Sequence, residues 1–180
     1  MGHRYLIALG SNRRHYRHGR PEAVLRAAFG ALGRQPLELQ AASPIFATAP
    51  LGPSRRRYAN AAALVETALA PDSLLDHLKA IERAFGRRPG GRRWAARVLD
   101  LDIVLWSGGT WSSPRLTIPH TAFRQRLFVL RPAAALTPSW RDPLTGLTLR
   151  QHRARLTRPH PLPIAPPGRA LSSVGRATDF

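Results

Sequence analysis

Apolar and polar residues alternate along this chain in two registers. One has a period of two, the other a period near 3.6, and the switches between them mark out the elements. Residues 4–10, RYLIALG, form a short β-rich apolar run closed by Gly-Ser-Asn, a turn signal. A polar loop follows, and Pro21 with Glu22 then opens a helix that keeps Val24, Ala28 and Leu32 on one face and stops at Gly33. Residues 37–47 predict a second strand, with Leu37, Leu39 and Ala41 alternating until Ser43-Pro44 interrupts. After a Pro/Gly loop, residues 58–69 predict a third strand. Ala59, Ala61, Ala63 and Val65 lie on one of its faces, and Asn60, Ala62, Leu64 and Glu66 on the other. Pro71-Asp72 opens a second helix carrying Leu74, Leu75, Leu78, Ile81 and Phe85 at helical spacing, ended by Gly86. A charged loop leads into the fourth strand, 97–106, where Leu99, Leu101, Ile103 and Leu105 point one way and Val98, Asp100, Asp102 and Val104 the other.

The order β-α-β-β-α-β predicts an α+β fold of ferredoxin-like plan, a mainly antiparallel sheet with both helices on one face. The opposite face stays available for a ligand or another layer. Residues 110–118 could add a short strand, 119–126 a loop or short helix, and 128–130 a further apolar segment. Residues 158–180 are Pro-rich, then polar and without period. The reading is one folded domain over 1–157 and a disordered tail.

Charge changes this picture. Lys and Arg total 28 against 10 Asp and Glu, a formal net charge of +18, and Lys79 is the only lysine. Such a balance invites a polyanionic partner, although arginine abundance alongside Ala, Gly and Pro also fits a GC-rich coding bias. The absence of cysteine excludes disulfides, thiolate metal sites and a cysteine nucleophile. No apolar run has the length of a membrane span, and the start, MGHRYLIALGSN, lacks the pattern of a signal peptide. We therefore expect a cytoplasmic protein without membrane partners.

The fourth strand carries the clearest chemistry. Asp100 and Asp102, two apart on a strand, stand roughly 6.5–7 Å from one another with parallel side chains. Carboxylates so placed repel unless a cation intervenes, and a hard divalent ion such as Mg2+ accepts one or two of them plus phosphate oxygens. Two solvated aspartates on an edge would read the same way. The arginines Arg87, Arg88, Arg92, Arg93 and Arg97 cluster just ahead of the acids, and their planar forks match phosphate. Carboxylates and arginines together suit phosphoryl or polyphosphate transfer. No Walker A sequence is present, so a kinase of this chain uses another fold. Glu82 borders the apolar stripe of its helix within reach of the arginine loop, either as an ordinary boundary residue or as a partner for a site arginine. His120 stands near Arg126 and Phe128. Tyr58 and Phe128 are core aromatics or a clamp for a flat heterocycle, whose polar edge Asn60 could read. His15, His18, His152 and His160 show no metal-ligand spacing.

Six segments in order carry a resemblance: ALGSN (8–12), TAPLGP (48–53), YANAAALVET (58–67), IERAFGRR (81–88), RWAARVLDLDI (93–103) and RLTIPH with Arg126 and Phe128 (115–128). Over roughly residues 4–155 the chain resembles the 6-hydroxymethyl-7,8-dihydropterin pyrophosphokinases of folate synthesis, which transfer pyrophosphate from ATP to the pterin and release AMP. The resemblance implies a three-layer α-β-α sandwich acting as a monomer on these two small molecules, with no nucleic acid. It implies that Asp100 and Asp102 hold two Mg2+ ions and that Tyr58 and Phe128 sandwich the pterin. Asn60 and the Thr48–Leu51 backbone would read the pterin edge. Arg87, Trp94 and Arg97 would fall on a mobile loop over ATP, with Arg87 and Arg97 catalytic and Trp94 touching both substrates. Glu82, Ile103, Arg115, Thr117, His120 and Arg126 would line the nucleotide side. The chain departs from the family pattern at Pro89, at Ala95-Ala96 and at Thr121. An RNA-binding module on the same sheet is the alternative that the +18 charge suggests, though acids on its open face would repel phosphate. A Mg2+-dependent nuclease shares the carboxylates but leaves Tyr58, Asn60 and Phe128 without a role.

Overall fold

The computed structural model describes residues 2–48, 58–86 and 97–159. Strand β1, His3–Ser11, lies in the middle of the sheet. It pairs antiparallel with β4, Tyr58–Thr67, on one side and with β5, Asp100–Trp106, on the other. Beyond β4 lie β2, Glu38–Ala42, and β3, Phe46–Thr48, which share β4 as partner. The order β2-β4-β1-β5 is the ferredoxin-like order expected from β-α-β-β-α-β. The expected single strand over 37–47 is two strands because Ser43-Pro44 breaks it. Pro44 has no N–H for the ladder, and the Ser43 hydroxyl accepts the Ala62 N–H at 2.9 Å instead.

Helices α1, Pro21–Leu32, and α2, Pro71–Ala84, cover one face. Each begins with proline at its first turn, where a missing N–H costs nothing. Gly86 follows α2 at φ +85°, a conformation that disfavours any side chain. Their apolar stripes meet Tyr5, Ile7, Leu9, Ala59, Ala61, Ala63, Val65, Leu99, Leu101 and Ile103 in the main core, the faces that the period of two predicts. Leu105 corrects that prediction, because it joins the core on the opposite face. Between Leu6 and Ile7 the β1–β5 register shifts, so Leu6 faces Leu105 while Ile7 faces Ile103. The extra residue, Val104, bulges and turns the end of the strand over.

The opposite face carries its own helix layer, so the fold is an α-β-α sandwich. Helix α3, Leu127–Leu136, packs Val129, Leu130, Ala133 and Ala134 on Leu6, Ala62, Val104 and Leu105. The apolar segment expected at 128–130 is the start of this helix. Behind it lies α4, Leu149–Thr157, an element that the sequence reading did not single out. Its start is a reciprocal cap: the Gln151 N–H donates to the Thr148 hydroxyl at 3.2 Å, and the Thr148 N–H to Gln151 Oε1 at 2.8 Å. Residues 110–118 form a hairpin, β6 (Trp111–Ser112) and β7 (Thr117–Ile118), rather than one strand, and a 3-10 turn spans Phe123–Gln125. A buried carboxylate ties the 3-10 turn to the C-terminal part. Asp142, with no solvent exposure, accepts from Arg124 Nε and Nη2, both at 2.7 Å, and from Thr145 and the Leu144 N–H. Burial alone would raise the Asp142 pKa. The bonds from Arg124, Thr145 and Leu144 outweigh it and hold the carboxyl down at about 2. From residue 160 onward the expected disordered tail lies outside the described residues.

Candidate active site

One rung of the sheet holds Asn60 on β4, Gly10 on β1 and Asp100 on β5, and the next rung on the same face holds Ala62, Ala8 and Asp102. The middle positions carry almost no side chain, so the floor between amide and carboxylates is low. A Cβ on Gly10 would stand 3.7 Å from Asn60 Oδ1 and 4.0 Å from the Asp100 Cβ. Strands about 4.8 Å apart put the Asn60 and Asp100 backbones about 10 Å from one another. The Asn60 amide is buried, and its Nδ2 donates to the Thr48 hydroxyl at 2.8 Å, which fixes its orientation. Tyr58 opens the same strand, and Phe128 sits in the first turn of α3 with the Arg126 guanidinium 5.8 Å from its ring centre.

The acids stand in unlike surroundings. Asp100 accepts from Arg97 Nη1 at both carboxylate oxygens, 2.8 and 2.7 Å. Asp102 is deeper, and burial first, then the negative charge of Asp100, pushes its carboxyl above the ordinary range. His120, Lys79 and Arg126 pull the other way without cancelling this. Asp102 borders a cavity of about 310 Å³ whose walls include Lys79, Ile103, Arg115, Thr117 and His120. The His120 backbone N–H donates to the Val104 carbonyl at 3.0 Å, and its ring Nδ1 accepts from the Ala122 N–H at 3.2 Å, so Nε2 is the ring nitrogen left to donate. Hairpin β6–β7 is pinned to α2, which sets the far wall. Trp111 Nε1 and the Ser113 hydroxyl both donate to Asp72, at 3.2 and 2.9 Å, and Arg115 pairs with Asp76.

Glu82 is fully buried rather than at the border of its helix. Its Oε1 accepts the Leu101 N–H at 2.8 Å and the Lys79 ammonium at 3.0 Å. Among the described residues strand β5 is the sheet edge, and Glu82 satisfies an edge N–H between the two aspartates. It therefore braces the strand that carries the acids and is not the half-exposed boundary residue that the helix pattern alone allowed. Lys79 was missed by the sequence reading. As the single lysine, four residues after Leu75 and three before Glu82, it occupies the helix stripe that meets the site, and that spacing was the available signal. Leu51, Arg87 and Trp94 lie outside the described residues, as do Pro89 and Ala95-Ala96.

Among the described residues no three carboxylate, imidazole or thiolate ligands converge, so Asp100 and Asp102 stand as a pair. The donor set still fits Mg2+, which typically takes one or two carboxylates and completes its shell with water and phosphate. Two adjacent carboxylates, one raised by burial and by its neighbour, gain from a divalent cation.

The family model for 7,8-dihydro-6-hydroxymethylpterin-pyrophosphokinase (HPPK) matches residues 6–138. The chain belongs to this family. Among its relatives, the 2-amino-4-hydroxy-6-hydroxymethyldihydropteridine pyrophosphokinase of Pseudomonas aeruginosa is 42% identical over 145 residues, 79% of this chain and 86% of that one. The enzyme of the same name from Haemophilus influenzae is 41% identical over 128 residues, 70% of this chain and 76% of its own. A crystal structure of wild-type Plasmodium falciparum HPPK-DHPS superposes with a TM-score of 0.65 at 14% identity. That match covers 86% of this chain but only 45% of the Plasmodium chain, and it bears on the fold alone. The chain is thus a diphosphotransferase of folate biosynthesis with ATP as co-substrate. Nothing in the fold or the matches favours the RNA-binding alternative, and among the described residues no helix is long and apolar enough to cross a membrane.

Proposed function

We propose that Asn60, Tyr58, Thr48 and Phe128 hold 6-hydroxymethyl-7,8-dihydropterin at one side of the Gly10 floor, and that Mg-ATP lies at the other. The hydroxymethyl oxygen bonds to the β-phosphorus of ATP, the bond from that phosphorus to the oxygen of the α-phosphate breaks, that oxygen leaves with AMP, and the hydroxyl proton passes to solvent water. The products are the pterin diphosphate and AMP. Asp100 and Asp102 are the residues that would hold two Mg2+ ions, and Asp102 also orients the attacking hydroxyl. Bound there, the metal would neutralise phosphate charge and acidify the hydroxyl. Arg126 and Lys79 add fixed positive charge beside Asp102, where the His120 ring also lies, and Arg97 adds it beside Asp100, so phosphate charge that shifts during transfer meets donors already in place. Arg115, Thr117 and Ile103 form the wall for the nucleoside, and Glu82 keeps β5 in position. The roles of Leu51, Arg87 and Trp94 rest on the sequence motifs. The chain acts as a monomer in the cytoplasm on these two small molecules.

The observation that carries this reading is the shared rung. An amide able to read a heterocycle edge and a carboxylate able to hold metal face the same way across a residue without a side chain. Incubation with Mg-ATP and the hydroxymethyl dihydropterin should release AMP one for one with pterin diphosphate. Pterin-dependent ADP, or no turnover by folded protein, would overturn the reading. Light scattering checks the monomer.

A further inference from the structure

The β1–β5 ladder ends at the pair Gly10–Asp100. One step further, Asn12 makes two bonds to a single residue. Its N–H donates to the Arg97 carbonyl at 3.1 Å, and its Oδ1 accepts the Arg97 N–H at 2.7 Å. An asparagine side chain carries the same carbonyl as a peptide, so Asn12 prolongs the ladder where the backbone register alone would stop. Asn12 is only 8% exposed. The ion pair that Arg97 makes with Asp100 is more open, at 39% and 26% side-chain exposure, so solvent weakens its hold on the arginine. The buried part of the arrangement is the clamp on the Arg97 backbone.

The clamp has a firm base. Beyond Asn12 the chain closes on itself, with His15 and Gly19 exchanging backbone bonds at 2.8 Å. His15 Nδ1 accepts the N–H groups of Arg17 and His18, and the His18 ring stacks on Phe85 at 5.1 Å. The turn that follows Asn12 is therefore packed against the end of α2.

We infer that Asn12 is a positioning residue for diphosphoryl transfer: by gripping both backbone groups of Arg97, it fixes where the guanidinium meets Asp100 and the phosphates beside it. This rests on the proposed placing of Arg97 and Asp100 at the phosphates. A misplacement near 1 Å at such a group can cost about a hundredfold in rate.

The test compares Asn12→Ala and Asn12→Asp, each alone and combined with Arg97→Ala, in the full chain. Asn12→Ala should lower kcat about tenfold to a hundredfold and leave the Kd for the pterin unchanged. Asn12→Asp keeps the acceptor and should recover most of kcat. In the Arg97→Ala background, Asn12→Ala should cost less than about twofold more, because it acts through that arginine. Amide exchange followed by 15N NMR should show the Arg97 N–H protected in the wild type and fast in Asn12→Ala. If Asn12→Ala does not fold, Asn12→Gln shifts the acceptor by one methylene and should show the same non-additive loss. Wild-type kcat in Asn12→Ala, a fall in Tm alone, or losses that multiply with Arg97→Ala would each overturn the inference. A wild type that releases no AMP would overturn the functional reading, and the Arg97 exchange rate would still decide whether the clamp exists.

Discussion

Asn60 and Asp100 flank Gly10 on one rung of the sheet and face the same way. The gap between them exists because the residue in the middle has no side chain. Alanine at position 10 would make only ordinary contacts, 3.7 Å to Asn60 and 4.0 Å to Asp100, so the fold should accept it.

Gly10→Ala should keep its Tm or raise it slightly, since glycine in a strand costs about 0.5–1 kcal/mol against alanine. Its KM for the pterin should rise by about tenfold, the effect of roughly 1.4 kcal/mol. Gly10→Leu should fold and lose turnover. Steady-state kinetics beside thermal melts checks both, and full activity in Gly10→Leu would mean that this rung is not the substrate floor.

Asp102 should trade stability for function. Its folded pKa is raised, so its contribution favours the native state fully below the unfolded carboxyl pKa and is lost as pH rises through the folded one. At pH 7 the ionised group therefore costs stability. Asp102→Asn should abolish turnover and raise Tm, by about 2–4 °C for each kcal/mol recovered in a chain of this size. Added Mg2+ with ATP should raise the wild-type Tm and leave that of Asp102→Asn nearly unmoved. Melting curves at pH 5 and pH 7 test the sign: the advantage of the variant should shrink at the lower pH.

Lys79→Met removes a charge from the nucleotide wall while keeping most of the volume. We expect the KM for ATP to rise about tenfold, as for loss of one charged hydrogen bond, with the KM for the pterin unchanged. Stability should also fall, because the buried Glu82 carboxylate loses the Lys79 ammonium. Equal rises in both KM values would place Lys79 outside the nucleotide wall.

Asp142 works in the opposite direction from Asp102. A buried carboxyl held at about 2, against an ordinary 3.8, stabilises the fold by about 2 kcal/mol above its unfolded pKa. That contribution is lost as pH falls from about 4 to about 2. Urea unfolding at pH 7 should show Asp142→Asn destabilised by at least this amount, and the gap from wild type should close toward pH 2. Parallel pH profiles would show that the group does not titrate in the folded state as described.

Much of the sheet was legible because side-chain direction in a strand is a local property. Ala59, Ala61, Ala63 and Val65 went to the core as the alternation predicts, and Asp100 and Asp102 share the other face. Leu105 broke the rule through a bulge, which depends on how β1 and β5 fit along their length and leaves no mark in a two-residue period. Helix α4 had a local signal, Thr148 with Gln151 three residues on, but its few buried residues and high charge obscured it. The burial of Glu82 was not legible because one of its partners, the Leu101 amide, is 19 residues away in sequence.

By itself the sequence determined the β-α-β-β-α-β order of the sheet and its two helices, the core-facing side of most strands and the pairing of two acids on one face, since propensity and periodicity act over a few residues. Tertiary structure alone decided that Asn60, Gly10 and Asp100 share a rung, that Lys79 and His120 meet beside Asp102, and that Asn12 holds Arg97. Those meetings depend on strand register and on helices docking across the sheet, and register is settled by the packing of the whole core.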